Sequence, residues 1–158
     1  MKPIESYYRS GLLIDTNLLL LYIVGSVDSA YISLHGRTRG YSISDYDALR
    51  QFSDPFRQLV SLPHVLTETS NLLAKEKGPR REEFFRHFAA VIETLDELGV
   101  ESRRAAAGDH FAVFGLTDLA VIEAVREKYL VVTDDSRLAQ YMERSGVDVV
   151  DFRALQVH

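Results

Sequence analysis

Five acidic residues set the chemical question in this sequence: Asp15, Glu68, Asp118 and the adjacent Asp134 and Asp135. Asp15 follows Leu12, Leu13 and Ile14, at the tip of what reads as the most buried strand, where a lone ionised carboxylate is expensive. Glu68 falls at the edge of an apolar helix face set by Val65, Leu66, Thr69, Leu72 and Leu73, taking about 100° per residue. Asp118 shares a helical stripe with Ile122 and Val125, so it belongs to the core side of its helix. Asp134 and Asp135 end the run from Leu130 to Thr133, and the Thr133 hydroxyl can orient a neighbouring acid.

Each acid also has an ordinary reading. Asp15 can cap the following helix, Glu68 can be a solvated surface residue, Asp118 can favour the dipole of a first turn, and the Asp134–Asp135 pair can form a turn. Gathered in one place they require more than that. Two carboxylates ~4 Å apart at an effective dielectric of ~20 repel by roughly 4 kcal/mol, so several stay charged in one cleft only around a cation. The chain has no cysteine and no suitably spaced histidine pair, and hard oxygen ligands select Mg2+ or Mn2+ over zinc. Such an ion activates water and neutralises phosphoryl oxygens, which points to phosphodiester hydrolysis.

The elements that must position these acids alternate between strand and helix. Gly11–Asp15 reads as a buried parallel strand, and Thr16 or Asn17 can open a helix through Leu18–Val24 that stops near Gly25. Ser26–Tyr41 lacks periodicity and is expected to be a surface loop. Ser44 with Asp47 suggests a capping box for a helix to about Phe52. Leu59–Leu62 reads as a strand, Pro63 to about Glu76 as a helix closed by Gly78 and Pro79, and Arg80–Leu98 as a longer helix. Ser102–Phe114 is expected to be helical, Gly115 to reset the chain and Thr117 to start another helix. Leu130–Val132, a helix over Asp135–Ser145 closed by Gly146, and a strand at Val147–Val150 complete the pattern. A parallel sheet covered on both faces follows, and such sheets bind ligands at the carboxyl ends of their strands.

Composition bounds the function classes. A chain of 158 residues with 46% hydrophobic and 26% charged residues suits one domain with a sizeable core. The absence of cysteine excludes disulfide frameworks and thiolate chemistry and fits a cytoplasmic protein. The longest apolar run, Leu18–Val24, is too short to span a membrane; it is apolar nearly all round, which suits core packing or a subunit interface. The net charge of −5 disfavours a nucleic-acid binder, but with the five acids around a metal the remaining surface is close to neutral. Arg37 and Arg39, with Tyr31 and Tyr41 nearby, could grip phosphates and stack bases, or simply be solvated. His35, His64, His87, His110 and His158 show no metal-binding spacing and are expected in surface or helix-packing roles. The pairs Arg80–Arg81 and Arg103–Arg104 read as solvated helix ends.

In order and placement, Ile14-Asp15-Thr16-Asn17, Leu66-Thr67-Glu68 with Asn71-Leu72-Leu73, Gly115-Leu116-Thr117-Asp118, and Val132-Thr133-Asp134-Asp135 with Leu138 resemble the PIN domain family of metal-dependent nucleases, which includes the VapC-like toxins. The resemblance implies an α/β three-layer PIN-like fold over residues 1–158, its central parallel sheet of about four or five strands flanked by helices. It implies that Asp15, Glu68, Asp118 and Asp135 are an acidic quartet for Mg2+ or Mn2+, that Thr16, Asn17 and Thr133 support it, and that Asp134 assists. RNA is the implied substrate, with an antitoxin protein and a homodimer as implied partners, in the cytoplasm and away from membranes. The segment of about 26–56 is longer than in a minimal PIN toxin. Against an endoribonuclease stand a PIN-like module that binds RNA or protein without cutting, and another magnesium-dependent phosphotransfer enzyme; for the latter the sequence offers neither a glycine-rich phosphate loop nor an Asp-x-Asp near Asp15.

Overall fold

The computed structural model describes residues 1–156; His158 lies outside them. Among the described residues the strands are β1 (Leu12–Ile14), β2 (Leu59–Ser61), β3 (Asp96–Glu97), β4 (Leu130–Thr133) and β5 (Val149–Asp151). The helices are α1 (Thr16–Val27), α2 (Ile43–Ser53), α3 (Pro63–Leu73), α4 (Arg80–Thr94), α5 (Ser102–Ala106), α6 (Phe111–Val125) and α7 (Ser136–Arg144). The strands form one sheet in the order β3-β2-β1-β4-β5, and every pairing is parallel. All residues of β1 and β4 are buried. Because successive strand residues point to opposite faces, both faces of the sheet must be covered. The protein is α/β with a parallel sheet flanked by helices, as its sequence leads one to expect.

Strand order decides where a ligand can sit. The chain builds outward from β1 through β2 to β3, then returns to the other side of β1 for β4 and β5. Where the direction of winding reverses, the connections leave β1 and β4 in opposite directions and a crevice opens at their carboxyl ends. Leu12, Leu13 and Ile14 pair with Leu130, Val131 and Val132, and the Asp15 N–H continues the ladder to the Val132 carbonyl at 3.0 Å. Asp15 and Thr133 therefore leave the sheet side by side.

Helix α1 is the centre of the molecule. Leu18, Leu19, Leu20, Leu21, Ile23 and Val24 are all buried within the single chain, against α2, α3, α4 and β4. Its all-round apolarity is thus explained by core packing. The helix does not stop near Gly25 but continues to Val27. At Gly25 a Cβ would lie 2.3 Å from Cδ2 and 2.6 Å from Cγ of Tyr46, so glycine here admits a ring face. In isolation alanine favours a helix over glycine by ~1 kcal/mol, yet Gly25→Ala should destabilise this protein by about 1–3 kcal/mol through overpacking. The same change in a Tyr46→Ala background should be neutral or stabilising. Equal costs in the two backgrounds, measured by denaturant melts, would reject the close approach as the reason for glycine.

Several expected boundaries shift for identifiable reasons. Ser26–Tyr41 is not a plain surface loop: Asp28 caps a 3-10 helix at Ser29–Ser33, and Ile32, His35 and Thr38 are buried. Their spacing of three suits tight turns, a period that a search for α-helix or strand passes over. The segment is fastened by Thr38 to the Ile32 carbonyl at 2.8 Å, by His35 beside Glu76 at 3.8 Å and by Arg80 to Asp28 at 3.2 Å. Arg80, which also lies over the Tyr31 ring at 5.0 Å, is therefore not merely a solvated helix end, and His35 is a core residue. The capping box of α2 is Ser42 with Asp45, not Ser44 with Asp47.

Further along, α3 ends at Leu73 and α4 at Thr94. The end of the segment expected as helix to Leu98 instead contributes β3, which pairs through Val60↔Asp96 and Ser61↔Glu97. Two exposed acids carry no apolar strand signal, so backbone pairing alone makes this edge strand. The stretch expected as one helix from Ser102 to Phe114 divides into α5 and the start of α6. Helix α7 starts at Ser136, with Asp135 as its N-cap.

Candidate active site

A cleft of about 340 Å³ at the carboxyl ends of β1 and β4 is lined by all five acids, together with Thr16, Asn17, Asn71, Leu72 and Leu138. Four chain segments thus converge where the topology opens the sheet. Asp15 is the N-cap of α1: one oxygen accepts the Thr16 N–H at 2.9 Å, and the other accepts the Thr133 hydroxyl at 2.8 Å. Burial raises the Asp15 pKa, the two hydrogen bonds oppose that rise, and Asp134 and Glu68 add to it. Capping and membership of the acidic cleft, alternatives in the sequence, coexist in one residue.

Asp135 repeats the arrangement at α7. Its Oδ1 accepts the Leu138 N–H at 3.0 Å, while its own N–H donates to the Thr133 hydroxyl oxygen at 3.2 Å. Thr133, fully buried, therefore ties the two strand-end acids together. Glu68 reaches the cleft from α3 although its side chain is exposed. It accepts the Thr16 hydroxyl at 3.2 Å on Oε1 and the Thr117 hydroxyl at 2.5 Å on Oε2, bridging the starts of two helical stretches.

Asp118 owes its place to Gly115, whose φ of 85° and ψ of 179° interrupt α6. That conformation is costly for any residue with a Cβ, and it lets a new helical stretch begin with Thr117 and Asp118 in its first turn. The reset expected at Gly115 is present. The Asp118 carboxyl makes no hydrogen bond among the described residues. Burial, then the charges of Asp15, Glu68 and Asp135, push its pKa from an ordinary 3.8 up to about 7. An acid with no donor of its own, raised first by burial and then by three other acids, is a charge that a cation would stabilise.

Asp134 is held differently. Its carboxylate accepts the Tyr41 hydroxyl, and its carbonyl accepts the Arg153 Nε–H at 3.3 Å. Arg37 and Arg39 are exposed and do not line the acidic cleft; Tyr41 is the residue of that segment that bonds to one of its acids, Asp134. His64 stays off the cleft as well. Thr117, Asn71 and Arg153 are not singled out as site residues by the sequence, and Tyr41 is marked there only as a base-stacking neighbour of Arg37 and Arg39. Thr117 stands beside Asp118 and was within reach of sequence reasoning, whereas Tyr41 meets an acid 93 residues away.

Among the described residues no three His, Asp or Glu side chains are grouped so as to hold a metal ion as they stand. The donor set lining the cleft is all hard oxygen, the ligand chemistry that Mg2+ or Mn2+ takes. No described helix is long and apolar enough to cross a membrane. Comparison with family models, with curated proteins and with solved structures gives no match.

Proposed function

We propose that this protein is a metal-dependent endoribonuclease of the PIN type, and the observation that carries the proposal is the convergence of Asp15, Glu68, Asp118 and Asp135 on one cleft. Asp15, Asp118 and Asp135 would hold Mg2+ or Mn2+, with Glu68 placing a second ion or the attacking water. Bound there, the ion would supply an activated water and charge neutralisation at the phosphoryl oxygens. The protein's own groups do the rest. Thr133 fixes the rotamer of Asp15 and the backbone of Asp135, Thr16 and Thr117 hold both oxygens of Glu68, and Asp118 stores a proton that it must release before it can act as a ligand. The cytoplasm as compartment, and an antitoxin and a second copy of the chain as partners, belong to the same proposal.

The test is cleavage of structured and unstructured RNA with manganese by wild type, Asp15→Asn and Asp118→Asn. Each substitution should lower the rate by about 10²–10³, the scale on which removing an electrostatic catalytic group acts. Equal cleavage by all three proteins would end the assignment. A second reading, an RNA- or protein-binding module that does not cut, draws on the lack of a preassembled metal group. Calorimetry in which manganese gives no binding heat and no displacement would favour that reading.

A further inference from the structure

Beside the acidic cleft, and sharing Asp134 with it, lies a second cleft of about 540 Å³ bordered by Gly40, Tyr41, Arg153 and Gln156. It forms where the segment after α1 meets the 3-10 turn at Phe152–Ala154 that follows β5. We propose that this second cleft receives the nucleotide next to the scissile bond of a single-stranded RNA, with the Arg153 guanidinium on that nucleotide's phosphate. The inference rests on the nuclease reading of the first cleft, which fixes where the strand must run.

Arg153 is the group that a phosphate would find. Its Nε–H is directed to the Asp134 carbonyl at 3.3 Å, which orients the guanidinium and leaves the terminal N–H donors. None of the ion pairs among the described residues involves Arg153, whereas Arg80, Arg103 and Arg126 each face a carboxylate. A planar fork anchored by one edge, with its other donors uncommitted among the described residues, suits bidentate phosphate binding. The exposed Arg39, also outside every ion pair, immediately precedes Gly40 in the chain. Three acids nearby are already engaged: the Asp134 carboxylate accepts from Tyr41, Asp45 accepts from the Gln156 amide at 3.0 Å and the Ser42 N–H at 2.8 Å, and Asp151 accepts the Arg153 backbone N–H at 3.0 Å. The volume lies within the ~300–1,000 Å³ typical of small-molecule sites, room for one nucleotide. Asp134 then acts as the wall between the clefts, a positioning residue held by Tyr41 and not a metal ligand.

The experiment measures binding of a short fluorescent single-stranded RNA in EDTA, across salt from about 50 to 200 mM, for wild type, Arg153→Ala, Arg153→Lys and Arg104→Ala. Arg104 is an exposed arginine on α5 with no ion pair among the described residues and serves as the charge-matched control. Arg153→Ala should weaken binding about tenfold and lower the slope of log affinity against log salt by about 0.7, one lost phosphate contact on a single strand. Arg153→Lys should restore the slope but only part of the affinity, since a point charge replaces the fork. Arg153→Ala behaving like Arg104→Ala, or wild type binding no RNA, would overturn the subsite. Cleavage of the same RNA in manganese, with Asp118→Asn as reference, reports separately on the chemistry. RNA held through Arg153 but never cut retires the nuclease reading and keeps the subsite; RNA cut with unchanged KM by Arg153→Ala does the reverse.

Discussion

Asp118→Asn should raise the melting temperature of the metal-free protein at pH 8 by about 4–8 °C while lowering the proposed manganese-dependent cleavage by about 10²–10³. The expectation follows from the direction in which Asp118 titrates. Its folded pKa, pushed up to about 7, exceeds its ordinary 3.8, so between those values the folded protein binds more protons than the unfolded chain. Stability then falls as pH rises through the window from about 4 to 7 and stays at its lower level above it. A shift of about three units corresponds to about 4 kcal/mol, roughly halved here because the cleft opens to water and screens the charges. Asparagine keeps the shape and never ionises, so the gain should vanish near pH 4 and be complete at pH 8. In a protein of this size ~1 kcal/mol moves the midpoint by ~2–4 °C. Melts in EDTA at pH 4.5 and 8 decide the matter: a gain that ignores pH, or a loss at pH 8, is incompatible with an acid that is buried among other acids. Stabilisation together with loss of activity is the signature of a residue kept for function against the interest of the fold.

The sheet and its acids were legible in the sequence because strand-end position is a local signal. The apolar runs before Asp15 and before Asp134 announce buried parallel strands, and an acid directly after such a run sits where the crevice of a doubly wound sheet opens. What stayed hidden depends on contacts across the chain. Gly25 reads as a helix stop until Tyr46 is seen against it, and β3 is invisible because its pairing with β2 uses backbone groups beneath two exposed acids. Ser44 and Asp47 satisfy the capping pattern as well as Ser42 and Asp45 do, and only the actual bonds choose between them. Thr117 and Tyr41 illustrate the limit for the site. A hydroxyl carries no sequence mark of its acceptor, so the groups that orient Glu68 and Asp134 emerge only once distant segments have been brought together.

Manganese or magnesium affinity should fall about tenfold for each pH unit below 7, giving roughly a hundredfold loss between pH 7 and pH 5. A ligand carboxyl must be deprotonated to bind, and Asp118 in the metal-free protein retains its proton up to about 7, so metal and proton compete for one site. Asp15, whose pKa is also raised by burial, steepens the dependence beyond one proton wherever it too is protonated. The opposing hydrogen bonds from Thr133 and the Thr16 N–H limit that contribution, because they favour its ionised form. Calorimetric titration at pH 6 in two buffers of different ionisation enthalpy should count about one proton released per site filled. Bound metal should in turn stabilise the fold most at high pH, where the metal-free cluster is least stable, with the gain rising as the logarithm of metal concentration. Affinity that is flat from pH 5.5 to 7.5 with no proton released would mean that the cation sits away from Asp118, and the carboxylate cleft would lose its claim to be the metal centre. Hydrolysis should follow the same titration, since only the deprotonated cleft can assemble around the ion, and its acid limb should disappear when manganese is raised to saturation at each pH.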